Sequence, residues 1–588
     1  MTRGSTRALG YAAFVVALAV VPFAAPQFWV TLGNYIGLYS IVTLGLVLLT
    51  GVAGQTSFGQ AAFVGLGAYA SAWLTTRYGT SPWLALFVGL ALTLVVALAL
   101  GFITLRMKGH YLPLATIAWG ISLYFLFGNL EFLGGHTGMT GIPSLTIFGF
   151  DLRDERRYFY LIWVIALAAL WATNNLLDSR PGRAIRALKG GLEMAEAFGV
   201  DGARLKIVAF VYAALLACVS GWLYAHLQRF VNPTPFGINQ GIEYLFMAVV
   251  GGAGSVWGAV VGATLITLLK EMLQDTLPRI LGRTGNFEMV VFGVLMVLLL
   301  QFARDGLWPW IARLLPRRTP APVPDAPPLP PRERPSATGA LLDVRKARKQ
   351  FGGLVAVNDL SFGLAQGEIL GLIGPNGAGK STTFSLISGA LALTSGEILF
   401  CGAPIGRRQP YEIAALGIGR TFQHVKLLPQ MTVLDNVALG AYLRGRSGIV
   451  RAALRLDRAD EARTRAEAAR AIARVGLAAH TFEPAGSLAL GQQRIVEIAR
   501  ALASDPLLLL LDEPAAGLRH QEKLALAALL RALKHDGMTI LLVEHDMDFV
   551  MGLTDRLVVM DFGEMLAEGK PADIRRDPVV LEAYLGGA

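Results

Sequence analysis

Leu370-Gly-Leu-Ile-Gly-Pro-Asn-Gly-Ala-Gly-Lys-Ser-Thr-Thr383 is an apolar strand that leads into a glycine-rich turn and then into a helix. Three glycines lie in the turn: Gly374, Gly377 and Gly379. They let the backbone curl so that its N–H groups point at a phosphate chain, which a Cβ at these positions would obstruct. Lys380 supplies a charge for the β- and γ-phosphates, and Ser381 supplies a hydroxyl for Mg²⁺. Because the helix dipole favours the same anion, the stretch predicts a phosphate-binding loop.

Two later apolar runs end in polar residues that suit a nucleotide site. Residues 507–511 form a continuous apolar run, as in a strand buried on both faces of a parallel sheet, and the run ends in Asp512 and Glu513. Asp512 can hold Mg²⁺ through water, and Glu513 can polarise the attacking water as a general base. The next buried run, 539–543, is followed by His545, which can contact the γ-phosphate or orient the water.

Four more residues belong to the predicted nucleotide site. Gln423 can ligate Mg²⁺ or the attacking water and marks the start of a mobile segment. Phe351 lies at a suitable distance upstream of the phosphate loop to offer its ring to the adenine, although an ordinary aromatic residue at a strand end is the alternative. Asn376 and Thr382, inside the quoted stretch, complete the set.

Composition places part of the chain in lipid. Of its 588 residues 54% are hydrophobic, and the mean hydropathy of +0.51 is too high for a soluble protein of this length. The formal charge of +10 is compatible with a nucleic-acid partner, but membrane proteins gather Lys and Arg on their cytoplasmic side, so we predict no nucleic-acid partner. Cys218 and Cys401 are the only cysteines, which supports neither a disulfide framework nor a cysteine metal site.

The first half contains repeated apolar runs near the roughly 20 residues that cross a bilayer. We predict about ten membrane segments. The run 9–25 follows Arg3 and Arg7, and we interpret it as a retained span rather than as a secretory signal. The other runs are 35–49, 58–74, 83–105, 112–130, 159–176, 207–227, 242–269 and 289–302.

Two of these runs are rich in glycine. Within 249–262 glycines divide the apolar sequence into a short and a longer piece, which predicts a broken or re-entrant element. A re-entrant element would also place the basic clusters 3–7, 106–108 and 180–189 on the same side as the nucleotide-binding half. In 51–68, small residues predict closely packed helices, whereas the polar side chains at 55, 56, 57 and 60 allow a substrate path. We favour close packing. No ligand role is assigned to the charged residues near the span ends, Glu131, His136, Glu243, Lys270, Glu271 and Glu288.

A polar, basic segment, 178–206, separates two predicted spans and is long enough to project from the membrane as a short helix. Within it Glu193-Met-Ala-Glu-Ala-Phe-Gly199 resembles the coupling-loop signature of ABC importer permeases, with Met194 in place of the first alanine. A compact helix that ends at a glycine could dock in a groove of an ATPase; an ordinary solvated loop is the alternative.

The proline-rich segment 315–335 marks a domain boundary. Its prolines prevent helix and ladder hydrogen bonds, so an extended, semi-rigid tether is expected, long enough to leave the second half free to dock. We therefore predict a polytopic α-helical membrane domain in 1–314, a linker in 315–340 and an α/β P-loop NTPase domain in 341–588.

Five motifs together resemble the nucleotide-binding domain of an ABC transporter. They are the phosphate loop (Walker A), Gln423, the segment 488–494, the Walker B strand with Asp512 and Glu513, and His545. The resemblance implies that two such domains sandwich two ATP molecules, with Gly491 and Gln492 acting on the partner's nucleotide. Two positions depart from the general pattern. Ala489 stands where the signature has serine, and Arg519 stands where the loop after Walker B has aspartate or asparagine.

Finer motifs resemble the branched-chain amino acid importers. In the second half they are the segments 351–357, 512–518, 543–547, 567–569 and 582–585, and in the first half 51–68, 108–116, 137–141 and 251–255. The resemblance implies a natural fusion of permease and ATPase that imports such amino acids with ATP and Mg²⁺ across a bacterial inner membrane, with the ATPase in the cytoplasm.

The same resemblance implies further subunits. A second permease, a second ATPase and a periplasmic binding protein would complete the transporter, or two copies of this chain could pair. An exporter half-transporter, an importer of amides or urea, and an ATP-gated channel or sensor are the alternatives.

Overall fold

The computed structural model of the protein describes residues 3–104, 111–281, 288–302, 305–314, 321–334 and 339–585. The predicted basic cluster at Arg106 and Lys108, and the linker residues 315–320 and 335–338, lie outside these ranges. The chain divides into two compact units. The first comprises Met1–Asp178, Ala203–Pro320 and Ile449–Arg455, and the second comprises Ser179–Gly202, Ala321–Gly448 and Leu456–Ala588. The second unit thus includes the polar segment after Asp178 and all of the described linker, which the sequence patterns placed outside the ATPase domain.

The first half of the chain is helical, with four two-residue strands. Its helices are α1 (Arg3–Ala24), α2 (Gln27–Leu46), α3 (Gln60–Tyr78), α4 (Pro82–Thr104), α5 (Tyr111–Asn129), α6 (Glu155–Leu177), α7 (Arg180–Gly190), α8 (Leu192–Glu196), α9 (Gly202–Gln228), α10 (Ile238–Gly251), α11 (Val256–Leu281), α12 (Glu288–Phe302) and α13 (Trp308–Leu314). Its strands are β1 (Met139–Thr140), β2 (Thr146–Ile147), β3 (Phe150–Asp151) and β4 (Phe230–Val231). A π-helical turn, Val47–Val52, extends α2.

Among the described residues, six helices are long and apolar enough to cross a bilayer. They cover Gln27–Val52, Pro82–Thr104, Tyr111–Asn129, Glu155–Leu177, Gly202–Gln228 and Val256–Arg279. Helices suit this role because lipid offers no hydrogen-bond partner to an unpaired backbone. Large apolar side chains of α4 are exposed, for example Phe87, Val95 and Phe102, as expected of a helix that faces lipid. The predicted count of about ten also included α1, α3, α10 and α12; of these, α10 with 14 residues and α12 with 15 are shorter than a bilayer-crossing helix needs.

The two glycine-rich runs pack against each other. The chain breaks after α10 at Gly252 (φ +112°), and α10 has 14 residues against 26 in α11, so the predicted break into a short and a longer piece is confirmed. A Cβ on Gly51 would lie 1.6 Å from the carbonyl oxygen of Ala253, and one on Gly67 would lie 2.2 Å from that of Cys218. The prediction of close helix packing in 51–68 is therefore confirmed for its glycines. Between α10 and α11, Lys270 forms an ion pair of 2.7 Å with Glu243.

The second half of the chain has an α/β fold. Its strands are β5 (Leu342–Phe351), β6 (Leu354–Leu364), β7 (Ile369–Ile373), β8 (Ser395–Phe400), β9 (Ala403–Pro404), β10 (Ile418–Arg420), β11 (Leu508–Asp512), β12 (Thr539–Val543), β13 (Arg556–Asp561) and β14 (Glu564–Gly569). Its helices are α14 (Lys380–Ile387), α15 (Pro410–Leu416), α16 (Val433–Gly440), α17 (Ile449–Ala453), α18 (Arg458–Arg474), α19 (Leu490–Ala503), α20 (His520–His535), α21 (Met547–Met551), α22 (Pro571–Ile574) and α23 (Pro578–Leu585).

The main sheet of the second unit brings the predicted site residues to one edge. Its strand order is β10-β11-β12-β7-β13-β14, and all neighbouring pairs are parallel except β13 with β14. All residues of β7, β11 and β12 are buried, which explains their continuous apolar sequences. Because parallel strands end at the same edge, the residues that follow β7, β10, β11 and β12 can meet there. A second, antiparallel sheet has the order β6-β5-β8-β9.

Part of the linker packs on the second unit. Residues 321–334 have no helix or strand, as their prolines predict, but they do not form a free tether. Leu329 is 3% exposed and lies in an apolar cluster with residues of α16, α18 and α19. Arg332 donates its backbone N–H to Asp505 (2.6 Å), and Arg444 donates to the carbonyl of Leu329 (3.1 Å). An extended chain cannot pair its own carbonyls, so neighbouring arginines donate hydrogen bonds to them. The apolar side chains between the prolines, Val323 and Leu329, pack against the apolar cluster.

Candidate nucleotide site and the polar segment beside it

The phosphate loop has the predicted conformation. Gly374, Gly377 and Gly379 have φ values of +152°, +88° and +95°, a region that other residues seldom adopt. Two of them also allow a close approach, because a Cβ on Gly374 would lie 2.1 Å from the Met560 carbonyl oxygen and one on Gly379 would lie 2.4 Å from that of Ala356. The loop therefore requires glycine at these two positions for space as well as for φ.

Lys380 stabilises the loop at the start of α14. Its ammonium donates hydrogen bonds of 2.8 Å to the carbonyl oxygens of Gly374 and Pro375. Burial lowers the pKa of Lys380, and the charge of Glu513 opposes that effect. Asn376, Gly377 and Ser381 are exposed on the rim of the loop. A cation is thus held inside a loop whose rim is open, which is the arrangement that an incoming phosphate chain needs.

Glu513 and His545 meet beside this loop. The Glu513 backbone has φ +47°, and its N–H donates to the Val543 carbonyl (2.9 Å), so the carboxylate leaves β11 at a sharp turn. One carboxylate oxygen lies 3.7 Å from Nδ1 of His545. Asp512, one residue earlier, is 5% exposed, and burial raises its pKa although Arg420 opposes the effect. Among the described residues its Oδ1 has no hydrogen-bond partner.

The other predicted residues lie around the site rather than in its centre. Phe351 ends β5 with its ring exposed and Lys349 5.0 Å above it, so the ring can reach a base. Gln423 is exposed, and its backbone carbonyl accepts a hydrogen bond from the Arg494 guanidinium (2.8 Å). The Gln492 amide bonds to the Ala489 backbone N–H (3.2 Å) and to His480 (3.1 Å) at the start of α19. Gln492 therefore does not serve the phosphate loop of its own unit.

Sequence reasoning missed Glu544. This carboxylate is 1% exposed, and burial raises its pKa. It accepts hydrogen bonds from the backbone N–H groups of Ala515 (2.6 Å) and His545 (3.2 Å). It thereby ties the loop after Glu513 to the histidine. The signal was present, because Glu544 ends a continuous apolar strand just as Asp512 does.

Both halves of the chain match models of one transport system. Residues 28–300 match a model described as the permease component of a branched-chain amino acid transport system. Residues 357–516 match the ABC transporter model, and residues 564–588 match that of the branched-chain amino acid ATP-binding cassette transporter.

Individual proteins give the same result. The chain is similar to LivG of Escherichia coli K12, a high-affinity branched-chain amino acid transport ATP-binding protein, with 42% identity over 42% of this chain and 98% of LivG. It is 38% identical to BraF of Pseudomonas aeruginosa, which has the same description, over 42% of this chain and 98% of BraF. Its first half is 29% identical to the permease protein LivM of Escherichia coli K12, over 50% of this chain and 74% of LivM.

This chain belongs to the branched-chain amino acid ABC transporter family. Permease and ATPase are fused in one polypeptide. It is a multi-pass membrane protein that binds nucleotide and couples ATP hydrolysis to transport, and proteins of this kind act with further subunits.

In this transporter, the predicted coupling segment packs with the ATPase fold. α8 is followed by Gly199 (φ +80°), where a Cβ would lie 2.2 Å from the side chain of Leu443, so the glycine at this position is needed. Phe198 is 1% exposed, with the Arg500 guanidinium 4.6 Å from its ring centre. Arg183 of α7 is 2% exposed and pairs through both terminal nitrogens with Glu461, one at 2.9 Å. The alternative of a solvated loop is therefore wrong.

Arg420 connects this segment to the Walker B aspartate. It ends β10, and its side chain is 9% exposed. One terminal nitrogen lies 3.9 Å from a carboxylate oxygen of Glu193, and the other lies 4.0 Å from Asp512. Lys426 holds the second oxygen of Glu193 at 2.7 Å. The hydrogen bond from Lys426 lowers the pKa of Glu193, so this carboxylate is ionised at neutral pH. One buried cation thus faces both a permease carboxylate and a carboxylate of the ATP site.

Proposed function

We propose that the protein imports branched-chain or related hydrophobic amino acids across a bacterial inner membrane, with its ATPase half in the cytoplasm. The observation that carries the proposal is the packing of the permease segment 179–202 on the ATPase fold, one arginine away from Asp512. Relatives of both halves are described as branched-chain amino acid transport proteins, which supports the same solute class.

The residues of the site fit Mg²⁺-ATP. Mg²⁺ prefers hard oxygen donors, and three side chains offer them. They are the exposed hydroxyl of Ser381, the exposed amide of Gln423 and the buried carboxylate of Asp512, whose Oδ1 has no partner among the described residues. When bound, the ion would neutralise charge on the phosphates. Glu513 acts as the general base that takes a proton from the attacking water, and His545, whose Nδ1 lies 3.7 Å from the Glu513 carboxylate, orients that water. Lys380 and the loop N–H groups hold the phosphates.

Coupling runs through the two carboxylates that share Arg420. When Asp512 binds the Mg²⁺-nucleotide, its electrostatic attraction to the Arg420 guanidinium weakens. The interaction of the same guanidinium with Glu193 then becomes stronger. Phe198 and Arg183 anchor the same segment, so a movement of the ATPase surface is passed to the permease helices that flank it. Closure of two ATPase domains on two ATP molecules, with Gly491 and Gln492 acting on the partner's nucleotide, would drive the change between outward and inward access.

The working transporter needs more than this chain. We infer a second permease, a second ATPase and a periplasmic binding protein that delivers the solute, because the chain carries one copy of each module. A pair of identical chains would supply the same number of modules.

Reconstitution in proteoliposomes tests the proposal. The full chain with its partner subunits is combined with candidate binding proteins loaded with leucine, with an amide or with urea. We expect loaded binding protein to stimulate ATP hydrolysis, with leucine accumulating on the ATPase side. Stimulation only by the binding protein loaded with the amide or with urea would show that these compounds, and not branched-chain amino acids, are the substrate class. Hydrolysis that responds to none of them, with outward transport, would establish the exporter alternative, and transport independent of Glu513 would indicate a channel.

A further inference from the structure

A short non-helical segment, residues 53–59, lies between the π-helical turn and α3 inside the membrane unit. Close contacts hold it at both ends. Gly51 lies against the backbone of Ala253, and a Cβ on Gly241 of α10 would lie 2.3 Å from the carbonyl oxygen of Phe58. The Phe58 N–H donates to the hydroxyl of Thr116 on α5 (3.2 Å). The segment is therefore held by α5, by α10 and by the break that follows α10.

Two glutamines at this segment are buried without hydrogen bonds. Gln55 is 4% exposed and Gln60 is 1% exposed. Among the described residues, neither the oxygen nor the nitrogen of either amide has a partner, and the same holds for the Gln240 nitrogen in the first turn of α10. Buried polar groups without partners are rare and destabilising, and each needs an explanation. Close packing does not supply one, because the glycines alone achieve it.

Two helices begin where these amides lie. α3 starts at Gln60 and α10 starts at Ile238, and neither N-cap residue makes a side-chain hydrogen bond. Gly241, next to Gln240, lies against Phe58. A Cβ on Gly241 would also lie 3.9 Å from the Cβ of Ala61. The first turns of both helices are thus in contact. Uncapped N-termini carry partial positive charge and favour an anionic group.

We propose that Gln55 and Gln60, with Gln240 beside them, form a solute-binding site in the permease half for the head group of a zwitterionic α-amino acid. The amide N–H groups and the two helix starts receive the carboxylate, and the amide oxygens accept hydrogen bonds from the ammonium. Unwound backbone beside half-helix N-termini is a recurrent way to bind such groups within membranes. This inference rests on the proposed function, whose solute it locates. A neutral amide or urea would gain little from the helix ends.

Binding of leucine by the purified full chain in lipid nanodiscs tests the site. We compare the wild type with Gln55→Leu and Gln60→Leu, which keep most of the side-chain volume and remove the amide. The matched control is Thr75→Val in α3, since the Thr75 hydroxyl is buried but bonds to the Ser71 carbonyl of its own helix (2.8 Å). We expect leucine to bind at least about tenfold more weakly to each glutamine variant, a factor that corresponds to about 1.4 kcal/mol, and equally to the control.

A second measurement separates a binding role from a structural one. Without solute, the glutamine variants should melt no lower than the wild type, because the substitution removes unpaired buried groups. Leucinamide, which lacks the carboxylate, should bind the wild type more weakly than leucine does. Four results would each overturn the proposal. The first two are a wild type that binds no leucine and glutamine variants that bind it as the wild type does. Variants that lose binding and also melt at a lower temperature, or a wild type that binds leucinamide as tightly as leucine, would do so too. The proposed function itself is tested by a different measurement, uptake into proteoliposomes. It would fail if the assembled wild-type transporter took up no leucine.

Discussion

At the scale of single residues, Glu513 is the general base that we propose, and the turn at the end of β11 places it 3.7 Å from His545. Glu513→Gln keeps the shape and removes the base. We expect kcat for ATP hydrolysis to fall by roughly 10²- to 10⁴-fold. ATP affinity should change little, because Lys380 and the loop are untouched. Steady-state hydrolysis and nucleotide binding measure the two effects. The control is Glu397→Gln at a half-exposed position of β8. Normal turnover of Glu513→Gln would contradict the assignment.

Arg420 is the residue through which we propose that coupling runs, since it faces Glu193 and Asp512 together. Arg420→Gln removes the shared charge and leaves two carboxylates without it. We expect the stimulation of ATP hydrolysis by loaded binding protein to fall by about five- to a hundredfold, the usual range of coupling between sites. Basal hydrolysis should fall less. Arg345→Gln, at an exposed arginine of β5, is the control. If stimulation and basal hydrolysis fall in equal proportion, Arg420 serves only the ATP site.

Among the elements, α7 attaches to the ATPase fold through a buried ion pair between Arg183 and Glu461. Burial raises the pKa of Glu461, but the charges and hydrogen bonds of Arg183 and Arg465 outweigh it, so the pKa is lowered overall. A carboxylate with a lowered pKa in the folded state contributes stability above its unfolded pKa, and that contribution is lost as pH falls through the folded value. Attachment should therefore persist from neutral pH to about pH 4.5 and weaken below it. Hydrogen exchange of 180–202, corrected for intrinsic rates, measures this. Glu461→Gln should remove most of the dependence; an unchanged profile would exclude Glu461 as its source.

The docked linker is a second element with a measurable role. Leu329→Ala removes the one fully buried side chain of residues 321–334 and leaves a cavity against α16, α18 and α19. We expect the free energy of unfolding of the ATPase unit to fall by about 2–5 kcal/mol. Thermal unfolding of the full chain, followed by loss of nucleotide binding, gives the value. Asp325→Ala, at an exposed position of the same segment, should have little effect. Equal unfolding temperatures for Leu329→Ala and the wild type would mean that the segment detaches in solution.

At the scale of the whole molecule, the structural boundary after Pro320 differs from the predicted ATPase start at 341. A fragment 321–588 should therefore be more stable than a fragment 341–588, which lacks the buried Leu329 and the bonds of Arg332. We expect a difference of about 2–5 kcal/mol in the free energy of unfolding, mainly from the lost apolar contacts. Denaturant unfolding of the two purified fragments measures the difference. Equal stabilities would restore the boundary at 341 and make the linker a free tether.

Several features were predictable because they depend on neighbours in the sequence. The phosphate loop needs glycines at fixed spacing before Lys380, a fully buried strand needs a continuous apolar run, and a broken helix needs glycine at the break near Gly252. Each is a short-range demand of backbone geometry or burial, so the residues that meet it are adjacent. The same holds for the compact turn that ends at Gly199.

Other features depend on residues that only folding brings together. The pairing of Arg420 with Glu193, 227 positions earlier, leaves no local pattern, nor does the contact of Arg183 with Glu461. The linker was predicted to be free, because its prolines reveal its extended form but not the groove that receives Leu329. Likewise, the polar residues of 51–68 could be seen in the sequence, but only the folded structure showed that the amides of Gln55 and Gln60 are buried without hydrogen-bond partners among the described residues. Local sequence thus determined which elements form, and tertiary packing decided which distant charges and polar groups they bring together, because burial and pairing are properties of the assembled fold.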